Sequence, residues 1–157
     1  MDKTAEEILL SNGMITIVDK QDYDYLVQWK WRYSTNGYAV RQTKSKGKTK
    51  NIFMHRVILG LDILGIETDH INRNKLDNRR INLRIATRSQ NNTNKNARGK
   101  SKFLGVYFTD GKYPCAQIRF NGKKYYLGLF LTEEDAARAY DKKAWELYGE
   151  FANLNFK

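Results

Sequence analysis

Two short stretches decide how this chain is read: Thr68-Asp69-His70-Ile71-Asn72, and Arg80-Ile81-Asn82-Leu83-Arg84-Ile85-Ala86-Thr87-Arg88-Ser89-Gln90-Asn91. The first predicts a strand ending in an Asp-His pair. The second predicts a returning strand that carries Asn82 and leads into a helix. Thr87-Arg88-Ser89-Gln90 has capping-box form, in which the threonine hydroxyl accepts from the N–H three residues on and the glutamine reaches back. That helix is short, because Asn91 to Asn96 includes four asparagines, which are poor helix formers. His70 precedes Asn82 by twelve residues, and Asn91 follows nine further on. A strand–strand–helix order of this kind can bring one carboxylate, Asp69, and one amide carbonyl, Asn91, onto a single hard cation. Oxygen donors suit Mg²⁺ or Mn²⁺ rather than zinc. His70, whose ordinary pKa lies near neutrality, would then be general base on a water. Asn82 is expected to accept the ring's Nδ1 proton, so that Nε2 faces that water.

The flanks differ in character. Up to about Leu61 the chain reads as strands and turns. Met14-Ile15-Thr16-Ile17-Val18 is a short apolar run ended by Asp19, and Gln28-Trp29-Lys30-Trp31-Arg32-Tyr33 alternates, with Trp29, Trp31 and Tyr33 on one face. Core of a small sheet is the simpler role for these aromatics, base stacking the other. Ser34-Thr35-Asn36-Gly37 is a turn signal, and Tyr38-Ala39-Val40-Arg41 starts the returning strand. The loop from Lys44 to Lys50 is rich in lysine, with Lys48 a candidate phosphate contact, and Asn51-Ile52-Phe53-Met54-His55-Arg56 resumes an extended pattern. Beyond the asparagines, Asn94 to Lys102 reads as a flexible basic linker. Three strands are expected after it, at Phe103 to Phe108, Tyr113 to Phe120 and Lys123 to Phe130, with Asn121-Gly122 as a type I′ hairpin turn. Thr132 then caps a helix to about Tyr148, with Glu133, Glu134 and Asp135 at the positive end of its dipole and Gly149 as its stop. Ala136, Tyr140, Ala144 and Leu147 give that helix a face to lay on the sheet.

Composition narrows the partners. The chain has 157 residues, 41% hydrophobic and 13% aromatic, enough for one ordinary domain or a few very small ones. A net charge of +11 is distributed unevenly. Tyr25 to Leu61 and Asn78 to Thr109 hold no acidic residue and eight basic ones each, while six of the 17 acids lie in the first 24 residues. Such segregation is the footprint of a polyanion binder, since each neutralised phosphate releases a condensed counterion. No apolar run is long enough to span a membrane and no long basic amphipathic helix appears, so no membrane partner is expected. The acidic N-terminus shows no secretory pattern. Cys115 alone excludes a disulfide framework and a cysteine-rich zinc site, which points to a reducing cytoplasm.

Met54-His55-Arg56, Thr68 to Asn72, Asn82-Leu83-Arg84 and Thr87-Arg88-Ser89-Gln90-Asn91-Asn92 strongly resemble the HNH nuclease family, in particular the zinc-free homing endonucleases of phages and mobile introns. The resemblance implies that Asp69 and Asn91 are metal ligands for one Mg²⁺ or Mn²⁺ ion, that His70 is the general base, and that Asn82 orients it. Asn92 and Asn94 stand close enough to Asn91 to be alternative registers. His55 recurs in this branch, with a structural or DNA-backbone role and a direct catalytic one both open.

The last third resembles a second family, the Apetala-two or ethylene-response-factor DNA-binding domain of plant transcription factors. The matching residues are Leu104-Gly105-Val106-Tyr107, Ala116-Gln117-Ile118-Arg119, Tyr126-Leu127-Gly128-Leu129-Phe130, Thr132 to Asp141 and Ala152-Asn153-Leu154-Asn155-Phe156. In that family a three-stranded sheet lies in the major groove and the helix packs behind it. Alternation then puts Ala116, Ile118 and Phe120 toward the helix and leaves Tyr107, Thr109, Gln117, Arg119, Lys124 and Tyr126 toward DNA. The plant pattern has arginines where Tyr107 and Thr109 stand and tryptophan where Tyr126 stands, so its GC-rich recognition does not carry over.

The expected fold class is α+β: an N-terminal β segment at residues 1–51, a ββα-metal motif at 52–96, a basic linker at 97–102 and a βββα domain at 103–157. The expected activity is metal-dependent hydrolysis of double-stranded DNA, by a phage- or mobile-element-encoded enzyme working in the host cytoplasm. DNA contacts are expected from Lys48, Arg88, Tyr107, Gln117, Arg119, Lys124 and Tyr126, and no protein partner is evident. A regulator that binds DNA without cutting it is the alternative.

Overall fold

A computed structural model describes residues 4–45, 47–61, 66–95, 97, 99–110 and 112–156. Lys46 of the lysine-rich loop, Asn96 and Arg98 of the basic stretch, and the first three residues lie outside the described set. Helices and strands are interspersed, giving an α+β fold in two compact units, residues 1–86 and 87–157.

The first unit opens with a hairpin, β1 (Ala5–Leu9) and β2 (Ile15–Asp19), closed through Gly13 at φ +84°. A short helix α1 (Lys20–Leu26) follows, which the sequence pattern did not announce. The alternating aromatic run is not the strand expected. Only Arg32–Tyr33 is extended (β3), because Trp31 turns inward and donates its indole N–H to the Leu26 carbonyl at 2.8 Å, closing the end of α1. Trp31 is therefore core, Tyr33 is exposed, and Trp29 is half-buried with the Arg41 guanidinium over its ring. The turn at Ser34 to Gly37 leads into β4 (Ala39–Ser45), which pairs with β5 (Lys48–Phe53). The extended pattern expected through Arg56 stops at Phe53, where a one-turn helix α2 (Met54–Ile58) buries Met54, His55 and Ile58. Met54 and Ile58 join Leu10, Val18, Leu26, Trp31 and Leu83 in the unit's core. The unit ends with β6 (Glu67–His70) antiparallel to β7 (Leu83–Ala86), with a single 3-10 turn at Arg80–Asn82 before β7.

The second unit begins with α3 (Arg88–Thr93), capped as its sequence requires: the Thr87 hydroxyl accepts from Gln90 N–H, and Gln90 returns a bond to Thr87 N–H at 2.8 Å. Strands β8 (Val106–Thr109), β9 (Tyr113–Phe120) and β10 (Lys123–Leu129) make an antiparallel sheet with β9 central. Asn121 and Gly122 both have positive φ (+48° and +78°), as a type I′ turn demands. Helix α4 (Glu133–Tyr148) is capped by Thr132, whose hydroxyl accepts from Asp135 N–H at 3.1 Å. It buries Ala136, Ala137, Tyr140 and Ala144 against Val106, Ala116 and Ile118. A register shift between Tyr126 and Gly128 turns Leu127 inward, into both of the sheet's apolar clusters.

Candidate functional site

In β6, Asp69 pairs across the ladder with Arg84 and His70 with Leu83, and both Asp69 and His70 are buried. The Arg84 guanidinium donates twice to one oxygen of Asp69, from Nε at 2.9 Å and Nη2 at 2.7 Å, which fixes the plane of the carboxylate. The chain then makes a polar loop, residues 71–79, whose backbone is held by side chains as well as by backbone bonds such as Ile71 N–H to Asn82 O and Arg73 N–H to His70 O. Asn82 is its brace: Oδ1 accepts from Asn72 N–H at 2.8 Å and Nδ2 donates to the Asp77 carbonyl at 2.7 Å. Asn72 donates to Asp77 Oδ2, and Arg79 grips the same carboxylate through two nitrogens. The Arg79 bonds hold the Asp77 carboxyl below its ordinary pKa. Strand β2 seals the loop from the far side: Ile17 N–H donates to Leu76 O and Asn78 N–H to Ile17 O, each at 2.8 Å.

The amide that meets the His70 ring is Asn78, with Oδ1 at 3.2 Å from Nε2. The sequence reading gave this place to Asn82, which instead spends both ends of its amide on the loop, and it put the contact on Nδ1 rather than Nε2. Asn78 and its neighbour Thr16, the most deeply buried polar side chains of the site, were not singled out. The one signal was the polar run Asp77-Asn78-Arg79-Arg80 between Leu76 and Ile81. Nothing local marked Thr16, which lies 62 residues from Asn78 in sequence yet accepts its amide N–H at 2.8 Å.

His70 is walled by aromatic rings. His55 stands edge-on to it, with centroids 5.2 Å apart, and Tyr38 lies 5.8 Å from His70 and 5.0 Å from His55. Burial is the main reason that the His70 pKa falls below 6.5, against the pull of Asn78 and Asp69. His55 falls further, to about 3, through burial and then the neighbouring His70. Both rings are thus neutral near pH 7. The Nδ1 atom of His55 is buried with no hydrogen-bond partner.

Among the described residues no three His, Cys, Asp or Glu side chains gather around one point. Asp69 offers a hard carboxylate oxygen, and Asn91, on α3 of the second unit, an amide oxygen. Oxygen donors of either kind suit Mg²⁺ or Mn²⁺, which take few protein ligands and fill the rest of their shell from water and phosphate.

In the second unit, Tyr107 pairs with Cys115, Tyr126 with Gln117 and Lys124 with Arg119. That register puts all five expected contact residues of the sheet on one face, opposite α4. Arg119, Lys124 and Tyr126 are exposed, Tyr107 and Gln117 half-buried, and the Lys124 ammonium lies over the Tyr107 ring. Arg88 is exposed at the start of α3, and Lys48 is exposed on β5 of the first unit.

These features define a basic protein with a buried Asp-His pair and an open aromatic and cationic sheet. Residues 64–93 match the family model described as HNH endonuclease. An uncharacterised HNH endonuclease of Acanthamoeba polyphaga mimivirus is 33% identical over 143 residues, which cover 91% of this chain and 75% of that protein. The chain belongs to the HNH endonuclease family. Its C-terminal part is similar to an APETALA2-like protein of rice, 49% identical over 63 residues, and to an ethylene-responsive transcription factor of Arabidopsis thaliana, 43% identical over 63 residues. Those matches cover 39% and 38% of this chain but only 14% and 15% of the plant proteins. It is therefore an HNH nuclease with an APETALA2-like domain. No helix among the described residues is long and apolar enough to cross a membrane.

Proposed function

We propose that the protein is a homing-type endonuclease of a phage or other mobile element, hydrolysing phosphodiesters of double-stranded DNA with a divalent cation in the host cytoplasm. The observation that carries the reading is the buried Asp69–His70 pair, with a histidine that burial keeps neutral at working pH. His70 takes the proton of a water whose oxygen bonds to phosphorus as the bond to the 3′ oxygen breaks, leaving 5′-phosphate and 3′-hydroxyl ends. Asp69 and Asn91 would hold Mg²⁺ or Mn²⁺, which supplies charge stabilisation at the phosphate and the leaving oxygen. Asn82 is a positioning residue, acting through the loop that it braces. The sheet face with Tyr107, Gln117, Arg119, Lys124 and Tyr126 binds DNA, with Arg88 and Lys48 as phosphate contacts. A single such site cuts one strand at a time, so one protomer nicks.

The test is relaxation of a supercoiled plasmid that carries DNA flanking the gene, with Mg²⁺, with EDTA, and with the His70→Ala protein. Metal-dependent nicking that the variant lacks while it still binds the plasmid is the expected result. Salt-sensitive binding without cutting by the wild type would favour a non-cleaving regulator instead.

A further inference from the structure

We propose that the cavity between α3 and the open edge of β9 binds a single unstacked nucleotide, with its phosphate on a cationic rim and the amino group of its base on the carboxamide of Gln117. Such a site goes beyond the sheet's proposed role as a DNA-contacting face, and it stands whether or not the protein cuts DNA.

The cavity exists because β8 is shorter than its neighbour. Its last pairing toward the hairpin turn is Val106 with Ala116, whereas β9 runs on to Phe120. The two-residue turn at Asn121-Gly122 makes Phe120–Lys123 and Ile118–Tyr125 the hydrogen-bonded pairs with β10. The peptide groups of Gln117 and Arg119 therefore point the other way, at the open edge. Gln117 N–H donates there to the Gly105 carbonyl at 2.9 Å, and the Arg119 carbonyl accepts the Tyr148 hydroxyl at 2.6 Å. Arg119 N–H points into the same gap, with no β8 residue opposite it. Helix α3 closes the far side with Ser89, Asn92 and Thr93, and Ser89 is hydrogen-bonded to Tyr148. Between them lies a cavity of about 500 Å³, which side chains from both faces of the sheet reach.

Its lining sorts by chemistry. Leu104, Ile118, Tyr140 and Tyr148 supply apolar and aromatic surface on which a base can lie. Lys95, Arg119 and Lys124 form an exposed rim, and among the described residues no acid lines the cavity. The Lys95 ammonium is held by Asn92 Oδ1 at 2.8 Å. Three cations around one opening favour an anion, and a phosphate takes charge-assisted hydrogen bonds from such groups. Gln117 gives the sharper clue. It lines the cavity, and its Oε1 is buried with no hydrogen-bond partner. A buried acceptor in that state costs desolvation and gains nothing until a donor arrives. The exocyclic amino group of adenine, cytosine or guanine is a donor of that kind. The volume is that of a small-molecule site, which admits one nucleotide rather than a double helix.

Binding is read by ¹H–¹⁵N spectroscopy of the full chain with dAMP, with deoxyadenosine and with inorganic phosphate. The nucleotide should shift the amides of residues 89–95 and 117–124 saturably, with a Kd of about 10 µM to 1 mM, the range for a ligand of this size. Deoxyadenosine and phosphate, each filling half of the site, should bind at least about tenfold more weakly. Gln117→Leu keeps the bulk and removes the orphaned acceptor. It should raise the thermal midpoint of the second unit or leave it unchanged, while dAMP binds about three- to tenfold more weakly. Lys95→Gln should weaken dAMP and leave deoxyadenosine unchanged. Absence of a saturable shift with dAMP overturns the proposal, as does inorganic phosphate matching dAMP in pattern and affinity. A folded Gln117→Leu protein that binds dAMP like the wild type also overturns it. The nucleoside and phosphate comparisons need only the wild type, so they decide the matter even if the variant does not fold. A short oligodeoxyadenylate that displaces dAMP and shifts the same amides makes a DNA strand the source of the nucleotide; one that leaves dAMP in place makes it a free nucleotide. None of these readouts involves cutting, so an inert nuclease and an empty cavity are told apart.

Discussion

Acid should weaken the first unit before its carboxylates are protonated, and His55 should be the largest single reason. Its ring is buried among Tyr38, Phe53 and His70, and its pKa falls from 6.5 to about 3. The unfolded chain therefore binds more protons than the folded one between about pH 3 and pH 6.5. Stability is complete above 6.5 and drains away as the pH falls through that window. At about 1.4 kcal/mol per pKa unit the full displacement amounts to about 3–5 kcal/mol, of which about 2 kcal/mol is already lost at pH 5. For a domain with a typical stability of about 5–15 kcal/mol that is a large fraction. His70 adds a loss of the same sign over its own window, so the decisive comparison is differential. Urea denaturation at pH 7.5, 6 and 5 should show a steep fall in the wild type. The fall should be shallower by about 2 kcal/mol in His55→Phe, which keeps the aromatic wall and removes the unpartnered Nδ1. Equal slopes in the two proteins would refute the reasoning, because His55 would then be able to charge in place.

Three further expectations follow from single contacts. Gly105→Ala should destabilise the second unit by about 2–4 kcal/mol, summing overpacking and the left-handed backbone. Residue 105 has φ +71°, and a Cβ there would collide with the Tyr140 ring and sit 2.7 Å from the Gln117 carbonyl; an unchanged thermal midpoint for that unit would contradict this. Asn82→Ala should cost about 1–3 kcal/mol by orphaning Asn72 N–H and the Asp77 carbonyl, and amide exchange should speed up across residues 71–79 more than elsewhere. Removing residues 102–157 should abolish metal-dependent nicking as well as site preference. Helix α3, with Asn91, belongs to the second unit and is tied to it by Thr93 Oγ1 on the Phe151 carbonyl at 3.0 Å and by Asn153 on the Lys95 carbonyl at 2.7 Å. A truncated protein that nicks at the wild-type rate would show those ties to be dispensable.

Where the sequence was legible, the governing interactions were local. Thr87 and Gln90 lie three residues apart, as do Thr132 and Asp135, and Asn121-Gly122 encodes a turn by backbone preference alone. The ends of these elements are legible because the residues that start and stop them are adjacent to them. The polar loop was illegible for the opposite reason. Its order comes from Asn82 and from β2, and the pairings of Thr16 with Leu76 and Asn78 span 60 and 62 residues. Trp31 is the intermediate case: its alternation with Trp29 and Tyr33 suggested a strand, but a single indole N–H bond to Leu26 outweighed a two-residue period. The Asp69–His70 pair is legible as a motif, whereas the amide that meets the ring, Asn78, is fixed by contacts far apart in sequence.

The boundary between the two units, just before Thr87, also bears on how such a protein could be re-addressed. A recombinant that exchanged residues 102–157 would leave α3 on a foreign surface, without the Phe151 carbonyl and the Asn153 amide that tether it. Seams that respect the molecule's own division fall between Ala86 and Thr87, inside the stretch that carries the family signature. The APETALA2-like sheet and the helix that carries Asn91 are thus inherited as one piece, and a graft of another such domain has to bring its own copy of that helix.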